Sequence, residues 1–349
     1  MKELAIDSDA QTVGAVGEFG LIERIRRGIA SQPGSANNGA VVLGIGDDTA
    51  ALVVSPGHLL LATCDSQVEN VHFRVSTTTP ELLGRKALAV NLSDIASMAG
   101  VPRFVLVSLG LPPSTPLAFV DGLYAGLRAE AAEFGTAIVG GNIAASPAGI
   151  FIDITLLGEV ESDRVLRRGG ARVGDRLVVT GTPGDSAGGL ALLIDASLKC
   201  PPVAADELIH RHRCPTPRVA AGRAAGALGH VHAMIDISDG LLADLAHIAE
   251  ASNVGAVIWA PKLPLSPALV ALGRATGLNA LEMSLTGGED YELLLAVAPD
   301  GLEITMAAIE HAGVAATEIG EILEAVEGVS VALADGTRRD FARAGFRHF

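Results

Sequence analysis

Strand-length apolar runs alternate with helix-length stretches along the whole chain, and that alternation restricts the fold to α/β or α+β architecture. Phe19 to Ile29 reads as a short helix, followed by the polar loop SQPGSANNGA. VVLGI, AALVV and HLLLAT read as short strands over residues 40–63. Pro80 to Met98 reads as a helix with Pro80 suited to its first turn, and Leu88, Leu92 and Ile95 recur on one face. FVLVSLGL is a buried strand, Leu117 to Phe134 a helix, and TAIVG and IFIDITLLGEV two further strands. The second half starts over. RLVVTG runs into the glycine-rich GTPGDSAGGL and a helix through Leu193, and two helices flank Pro215 and Pro217. HAMIDISDG is a strand ending in a turn, and GLLADLAHIAEAS is a helix. VIWAP and LLLAVAP are strands, and residues 303–312 a helix. A chain of 349 residues exceeds what one core usually holds, so two domains are expected, 1–165 and 166–349.

Composition removes several classes of function. Hydrophobic residues are 49% and charged residues 19%, enough to bury a core and too apolar for global disorder. The net charge of −15 opposes binding to nucleic acid or an anionic membrane, both of which need a basic face. At 3% aromatic there is little material for stacking single-stranded bases. Cys64, Cys200 and Cys214 are odd in number and lack CxxC spacing, which fits a reducing compartment without disulfides or structural zinc. MKELAIDSDA does not read as a secretory signal, and no run is long and apolar enough for a membrane span. The expected location is the cytoplasm.

Five acidic motifs stand at the ends of elements: GIGDD (Asp47, Asp48), ATCD (Asp65, at the end of a strand), NLSD (Asn91, Asp94), IDISDG (Asp236, Asp239) and GGEDYE (Glu289, Asp290). An Asp beside Gly is ordinarily a turn or a cap. Asp94 differs, because it lies inside an apolar helix, where Asp is a poor former and is rarely buried without a partner. Asn91 shares its face, three residues away. Carboxylates brought together repel and require neutralisation, and Mg²⁺ is the usual choice where phosphates are handled. The chain has no HExxH and no Walker A pattern, so zinc protease and P-loop chemistry are excluded. Phosphate charge can instead be met by Asp-held Mg²⁺. Gly140–Gly141 and the stretch Gly181–Gly189 are glycine-rich turns that either present backbone N–H groups to a phosphate or serve close packing. His72 follows the Asp65 strand, and Arg168 lies in a basic cluster with Arg164, Arg167 and Arg172. Each of these has a plain structural reading as well as a functional one.

Taken in order, GEFGLI, GIGDDTA, TCDSQVENVHF, KALAVNLSDIASMAG, VGGN, GTPGDSAGGL, IDISDGL, GGEDYELL and GFRHF resemble the bacterial thiamine-monophosphate kinase family of the aminoimidazole-ribonucleotide synthetase (PurM-like) superfamily. The resemblance runs from Gly17 to Phe349. It implies a two-domain PurM-like α/β (α+β) fold, with the N-terminal domain contributing strands to a β-barrel in a homodimer. It also implies ATP as co-substrate, several Mg²⁺ ions, and transfer of phosphate to thiamine monophosphate. By this resemblance Asp48, Thr63, Cys64, Asp65, Asp94, Asn142, Asp236 and Asp239 hold metal. Gly141, Asn142, Arg168 and Ser238 contact ATP, and His72, Glu289 and Phe346 contact the thiamine phosphate. Asp65, Asp94 and Arg168 carry the chemistry. Asn142 replaces the family's usual Asp and Cys64 its Thr or Ser, which weakens one expected Mg²⁺ site. Asn70 replaces a glycine, at a turn where Asn tolerates positive φ.

Two other readings compete. Another ATP-using enzyme of the superfamily, acting on a purine precursor, selenide or a carbamoyl group, would fit the fold. The chain lacks the N-terminal reactive Cys and the C-terminal Cys that two of those chemistries would use. A non-catalytic nucleotide or thiamine-phosphate sensor would fit the replacements at Asn142 and Cys64.

Overall fold

The computed structural model describes residues 11–30, 39–45 and 49–339; Asp48 and Phe346 of the expected site lie outside the described residues. The chain divides into two compact units. Unit one takes the described residues of Met1–Pro56, Ala62–Asn91 and Pro102–Glu159. Unit two takes those of Gly57–Leu61, Leu92–Val101 and Val160–Phe349.

The elements of the first part are α1 (Val13–Ala30), β1 (Val41–Leu43), β2 (Ala51–Leu52), β3 (His58–Val68), α2 (Pro80–Ser97), β4 (Val101–Leu111), α3 (Leu117–Glu133), β5 (Ala137–Ala145) and β6 (Phe151–Glu161). β3, β6, β4 and β5 form a four-stranded sheet in that order. β4 and β5 are parallel, joined through α3 as a crossover. In β4 and β6 burial nearly alternates, as expected of strands with one face on a core. Phe104, Val139 and Ala40 form part of that core, with Leu106 and Leu157 against them. α1 starts earlier than the sequence pattern indicated, because it merges two helical pieces across a kink at Gly17, whose φ of 69° breaks the helix.

α2 is buried on nearly every side from Leu83 to Ala96, so its apolar residues show almost no one-sided pattern. Its approach to α3 depends on two glycines. A methyl group on Gly84 would strike the Leu123 carbonyl, and one on Gly126 the Glu81 carbonyl. The boundary between the units falls within α2, after Asn91.

Unit two continues with β7 (Arg176–Thr180), α4 (Asp185–Ile194), α5 (Pro202–Arg213), α6 (Val219–Gly226), β8 (Val231–Asp236), α7 (Leu241–Ser252), β9 (Gly255–Trp259), α8 (Pro267–Thr276), α9 (Ala280–Thr286), β10 (Leu293–Val297), α10 (Leu302–His311), β11 (Ala316–Leu323), β12 (Val329–Ala332) and β13 (Arg338–Arg339). The strands make a seven-stranded sheet in the order β13-β12-β9-β11-β7-β10-β8. β10 lies between β7 and β8, antiparallel to both, and all five of its residues are buried. One face carries Leu177, Val179, Ile235, Leu294 and Ile319 against Leu241, Leu245 and Ile248 of α7. The other carries Val178, Met234, Leu293 and Leu295 with Ala221 and Ala225 of α6 and Ile309 of α10. The Ile237–Gly240 turn leaves the end of β8, and residues 287–292 lead into β10 beside it. Among the described residues no helix is long and apolar enough to cross a membrane.

Candidate active site

In unit one the expected residues lie on or just after β3 and on β5, the two outer strands of the sheet. Asp65 lies inside β3, three residues short of its end, not at the strand terminus that the ATCD pattern suggested. The strand continues through Ser66 and Gln67 because β6 pairs with it. Side chains alternate along a strand, so Thr63 and Asp65 share one face and Cys64 takes the other. The Cys64 Sγ sits 3.4 Å from both Asp153 carboxylate oxygens and accepts from Thr155 Oγ1 at 3.6 Å. The Thr155 bond favours the thiolate. Burial and the Asp153 charge oppose it and prevail, so the thiol pKa is raised. The Cys64 side chain is therefore not brought to the Asp65 carboxylate, and only its backbone remains on that side.

Asn91 of α2 fixes the Asp65 backbone. It is fully buried, its Oδ1 accepts from the Asp65 N–H at 3.1 Å, and its Nδ2 donates to the Ala87 carbonyl at 3.1 Å. Both ends of a buried amide are thus used.

Gly140 and Gly141 are not a turn. They lie within β5, with Gly141 opposite Val107 of β4. A Cβ on Gly141 would strike the Val107 carbonyl, so the glycine serves close approach of strand to strand, neither a turn nor the packing of helix on strand that the sequence suggested. Asn142 follows on β5, exposed, opposite Ser108. His72 lies in the turn after β3, where its Nδ1 accepts from the Val68 N–H at 3.1 Å. That bond leaves Nε2 as the protonated nitrogen of the neutral ring. Asn70 in the same turn has φ 65°, the conformation for which an Asn can stand in for Gly.

In unit two the centre is Asp236, at the end of β8 and only 3% exposed. Ser93 of α2, itself fully buried, donates to its Oδ2 at 2.7 Å. Burial raises the Asp236 pKa first, and the charge of Asp94 raises it further; the Ser93 hydroxyl opposes both and is outweighed. The Asp94 charge thus acts on Asp236, and no basic side chain is among the causes of the shift. The set offers hard oxygen donors and no thiolate or imidazole, so it fits Mg²⁺ better than zinc or copper.

Asp239 sits in the turn after Asp236, and the turn is built by Asp244. One Asp244 oxygen accepts from the backbone N–H groups of Ser238, Asp239 and Gly240 at 3.0, 3.2 and 3.1 Å. Burial, and next the nearby Asp239 charge, push the Asp244 carboxyl up to about 7 against those three bonds. Oxygens of Asp239 and Asp244 and a nitrogen of His247 lie within 4.8 Å of one another.

The glycine-rich stretch from Gly181 to Gly189 does not offer an open phosphate cradle. Asp290 fills it: its carboxylate accepts from the Gly184 N–H at 2.6 Å and the Ser186 N–H at 3.1 Å, at the start of α4. Asp290 thus occupies the end of α4 that attracts anions. Gly189, further along, lets α4 lie against the Leu208 carbonyl of α5. Close packing accounts for it, and Gly184 is a left-handed residue of the turn itself.

Behind Asp290 stands a buried ion pair. Arg218 binds Glu292 through two nitrogens, and Thr180 donates to the same carboxylate at 2.6 Å. Glu289 is partly exposed, with its Oε2 3.5 Å from His212 Nδ1. Arg168 is exposed, and its guanidinium makes no hydrogen bond or ion pair among the described residues. Ser238 is half-buried, and its carbonyl accepts from the Glu289 N–H at 2.7 Å.

Sequence reasoning did not find Ser93, Asp244, His212 or Arg218. Asp244 had a local signal, an acid four residues into a helix that follows a Gly-containing turn. The other three are recognisable only through partners 74 to 143 residues away, or across to a neighbouring helix.

Family models for AIR synthase related proteins match both halves of the chain: the N-terminal domain over residues 46–160 and the C-terminal domain over residues 172–332. A thiamine-monophosphate kinase of Bacillus subtilis is 34% identical over 333 residues, covering 95% of this chain and 99% of that protein. The chain belongs to the thiamine-monophosphate kinase family. Its fold agrees with solved members. The enzyme from Stenotrophomonas maltophilia matches with a TM-score of 0.80 at 37% identity, over 92% of this chain and 97% of that one. AaThiL, solved in complex with AMPPCP and TMP, matches with a TM-score of 0.75 at 37% identity, over 98% of this chain and all of that one. The family's PurM-like two-domain fold is the fold of this chain.

Proposed function

We propose that this protein is an ATP-dependent thiamine-phosphate kinase that converts thiamine monophosphate to thiamine diphosphate, with Mg²⁺ as its metal. The observation that carries the reading is the full-length match to a relative solved with AMPPCP, an analogue of ATP, together with TMP. The paired carboxylates of Asp94 and Asp236 support it, since such a pair calls for a cation.

The acceptor is a phosphate oxygen. A phosphate monoester has a second pKa of about 6, so at neutral pH it is mostly dianionic and needs no general base. The bond between the γ-phosphorus and the bridging oxygen of ATP breaks, and a new bond forms to the acceptor oxygen. ADP keeps the bonding pair, and no phosphoenzyme intervenes. The barrier is repulsion between anions together with the charge of the transferring group. Bound Mg²⁺ supplies positive charge to the phosphates.

The residues then have distinct tasks. Asp94, Asp236 and Asp239 of unit two, and Thr63, Asp65, Asn142 and the Cys64 backbone of unit one, are the proposed metal-holding groups, with Asp48. Asn91 and Ser93 keep Asp65 and Asp236 in place. Gly141 and Asn142 in unit one, and Arg168 and Ser238 in unit two, are the proposed nucleotide contacts. An exposed guanidinium such as that of Arg168 can meet phosphate oxygens through several N–H groups at once. Glu289 accepts from the amino edge of the aminopyrimidine, and His72 and Phe346 complete the thiamine-phosphate contacts.

The reading includes three coarser features. The chain divides functionally at 165/166, it acts in the cytoplasm, and it works as a homodimer whose unit-one strands build a shared barrel. The exposed Val42, Leu43, Val53 and Val54 of unit one support the last, since a second copy would cover them.

The test is incubation with ATP, Mg²⁺ and thiamine monophosphate, with thiamine as a parallel acceptor and chromatography of the products. Thiamine diphosphate is expected from the monophosphate alone, and none from Asp94→Ala. ATP binding without product from either acceptor would overturn the reading in favour of a sensor.

A further inference from the structure

Residues 287–292 hold two non-glycine residues at positive φ, Glu289 at 65° and Tyr291 at 53°, on either side of the half-buried Asp290. Left-handed backbone at bulky residues is strained and persists only where the surroundings fix it. Here they do. The Glu289 N–H donates to the Ser238 carbonyl at 2.7 Å and the Tyr291 N–H to the Ile237 carbonyl at 2.9 Å. The Asp290 carboxylate is bound to the start of α4. The backbone that presents Glu289 is therefore held rigidly, which leaves its side chain to be oriented.

His212 stands where that can be done. It lies in the last turn of α5, with its ring only 10% exposed. Its Nδ1 is 3.0 Å from Ser186 Oγ and 3.5 Å from Glu289 Oε2. Ser186 is 1% exposed, and its own N–H is bound to Asp290. Backbone and side chain of Glu289 are thus both referred to the start of α4, one through Asp290 and the other through Ser186 and His212. A ring nitrogen cannot donate and accept at once. With a lone pair on Nδ1, the imidazole would repel the carboxylate; with the proton on Nδ1, it attracts it, and the Ser186 oxygen serves as second acceptor.

We propose that His212 is a positioning residue for thiamine phosphate: its Nδ1–H, steadied by Ser186, holds the Glu289 carboxylate in the orientation that receives the aminopyrimidine. The proposal rests on the reading of Glu289 as a substrate contact. It sets a directional requirement, a donor at the Nδ1 position.

Steady-state kinetics with each substrate varied in turn tests it. His212→Ala should raise KM for thiamine monophosphate about tenfold and leave KM for ATP within about twofold, a split that general loss of structure would not give. His212→Asn, whose amide nitrogen falls near Nδ1, should stay close to the parent; His212→Gln, whose amide falls near Nε2, should behave like Ala. In the His212→Ala/Glu289→Gln double variant the two effects should not multiply, because both remove one interaction. Should His212→Ala not fold, the Asn and Gln variants carry the same contrast. A parental KM for thiamine monophosphate in His212→Gln, alongside a raised one in Glu289→Gln, overturns the role of His212 and leaves that of Glu289 standing. A raised KM in His212→Gln with none in Glu289→Gln overturns the coupling. Parental values in both overturn the proposal and the Glu289 reading together.

Discussion

Asp236 and Asp290 sit at the ends of two neighbouring segments of unit two, both with raised pKa values, yet they are held by different partners. Asp290 is met by two backbone N–H groups at the start of α4. Those two bonds lower its pKa without cancelling burial and the nearby Asp185 and Glu292 charges; what they do is fasten residues 287–292 to α4. Asp236 receives the Ser93 hydroxyl and a backbone hydrogen bond, and the charge of Asp94 acts on it. What sets it apart is its partner, a second acidic group whose charge a cation would relieve. Burial alone does not distinguish a structural acid from a functional one; the partners do.

The sharpest way to break this comparison is at Asp94. Asp94→Ala should lower kcat by at least about 10³, or ~4 kcal/mol in the barrier, while the thermal midpoint without Mg²⁺ holds or rises. An equal loss of stability would place Asp94 with Asp290 among the fasteners. Asp290→Ala should do the reverse, destabilising unit two by about 3 kcal/mol in denaturant unfolding, because it leaves two donors at the start of α4 unpaired. Asp236→Asn removes a repelling charge and keeps an acceptor for Ser93. It should stabilise the metal-free protein by about 1–2 kcal/mol and diminish the rise in Tm on adding Mg²⁺. A wild-type Mg²⁺ response in that variant would exclude Asp236 from the metal site.

The smallest effect tests a third kind of carboxylate. Glu130 of α3 in unit one is buried, and burial pushes its pKa up to about 7 despite the Arg85 guanidinium at 2.9 Å. The folded protein thus holds this proton more tightly than the unfolded chain does. The stabilisation it gives is complete below about pH 4.5 and is lost as pH rises through 7. Glu130→Gln should therefore match the parent near pH 5 and exceed it by about 1 kcal/mol at pH 8.5, allowing for the Arg85 interaction that the variant gives up. A constant difference across that range would show that Glu130 stays ionised throughout.

Most of the element order was legible in the sequence, because strand and helix periods are local properties. α2, α3, α7 and β10 follow the runs that announce them. α8 was not read, although Ser266 caps it, Pro267 opens it and Gly277 closes it in left-handed conformation. Its buried Ala268, Leu269 and Leu272 do recur at helical spacing, and Leu208 of α5 packs with them. β11 was also missed. Thr317, Glu318 and Glu321 interrupt its apolar pattern, and it is made a strand by lying between β7 and β9.

The candidate site divides in the same manner. The acidic motifs, their order and the anomaly of an Asp within an apolar helix were written in the chain. So was the tolerance of Asn70 for positive φ, which the turn after β3 uses. Gly140–Gly141 misled as a turn, because a glycine pair looks the same whether it makes room for a bend or for the neighbouring strand.

By itself, then, the sequence determined which chemical groups this protein possesses and which elements carry them, since residue identity and local periodicity need no partners. Only the tertiary structure decided that Asp290 fastens α4 while Asp236 stands opposed to Asp94, and that Cys64 turns toward Asp153 and away from Asp65. Desolvation and hydrogen bonding depend on what surrounds a group, and here the surroundings come from residues up to 143 positions away.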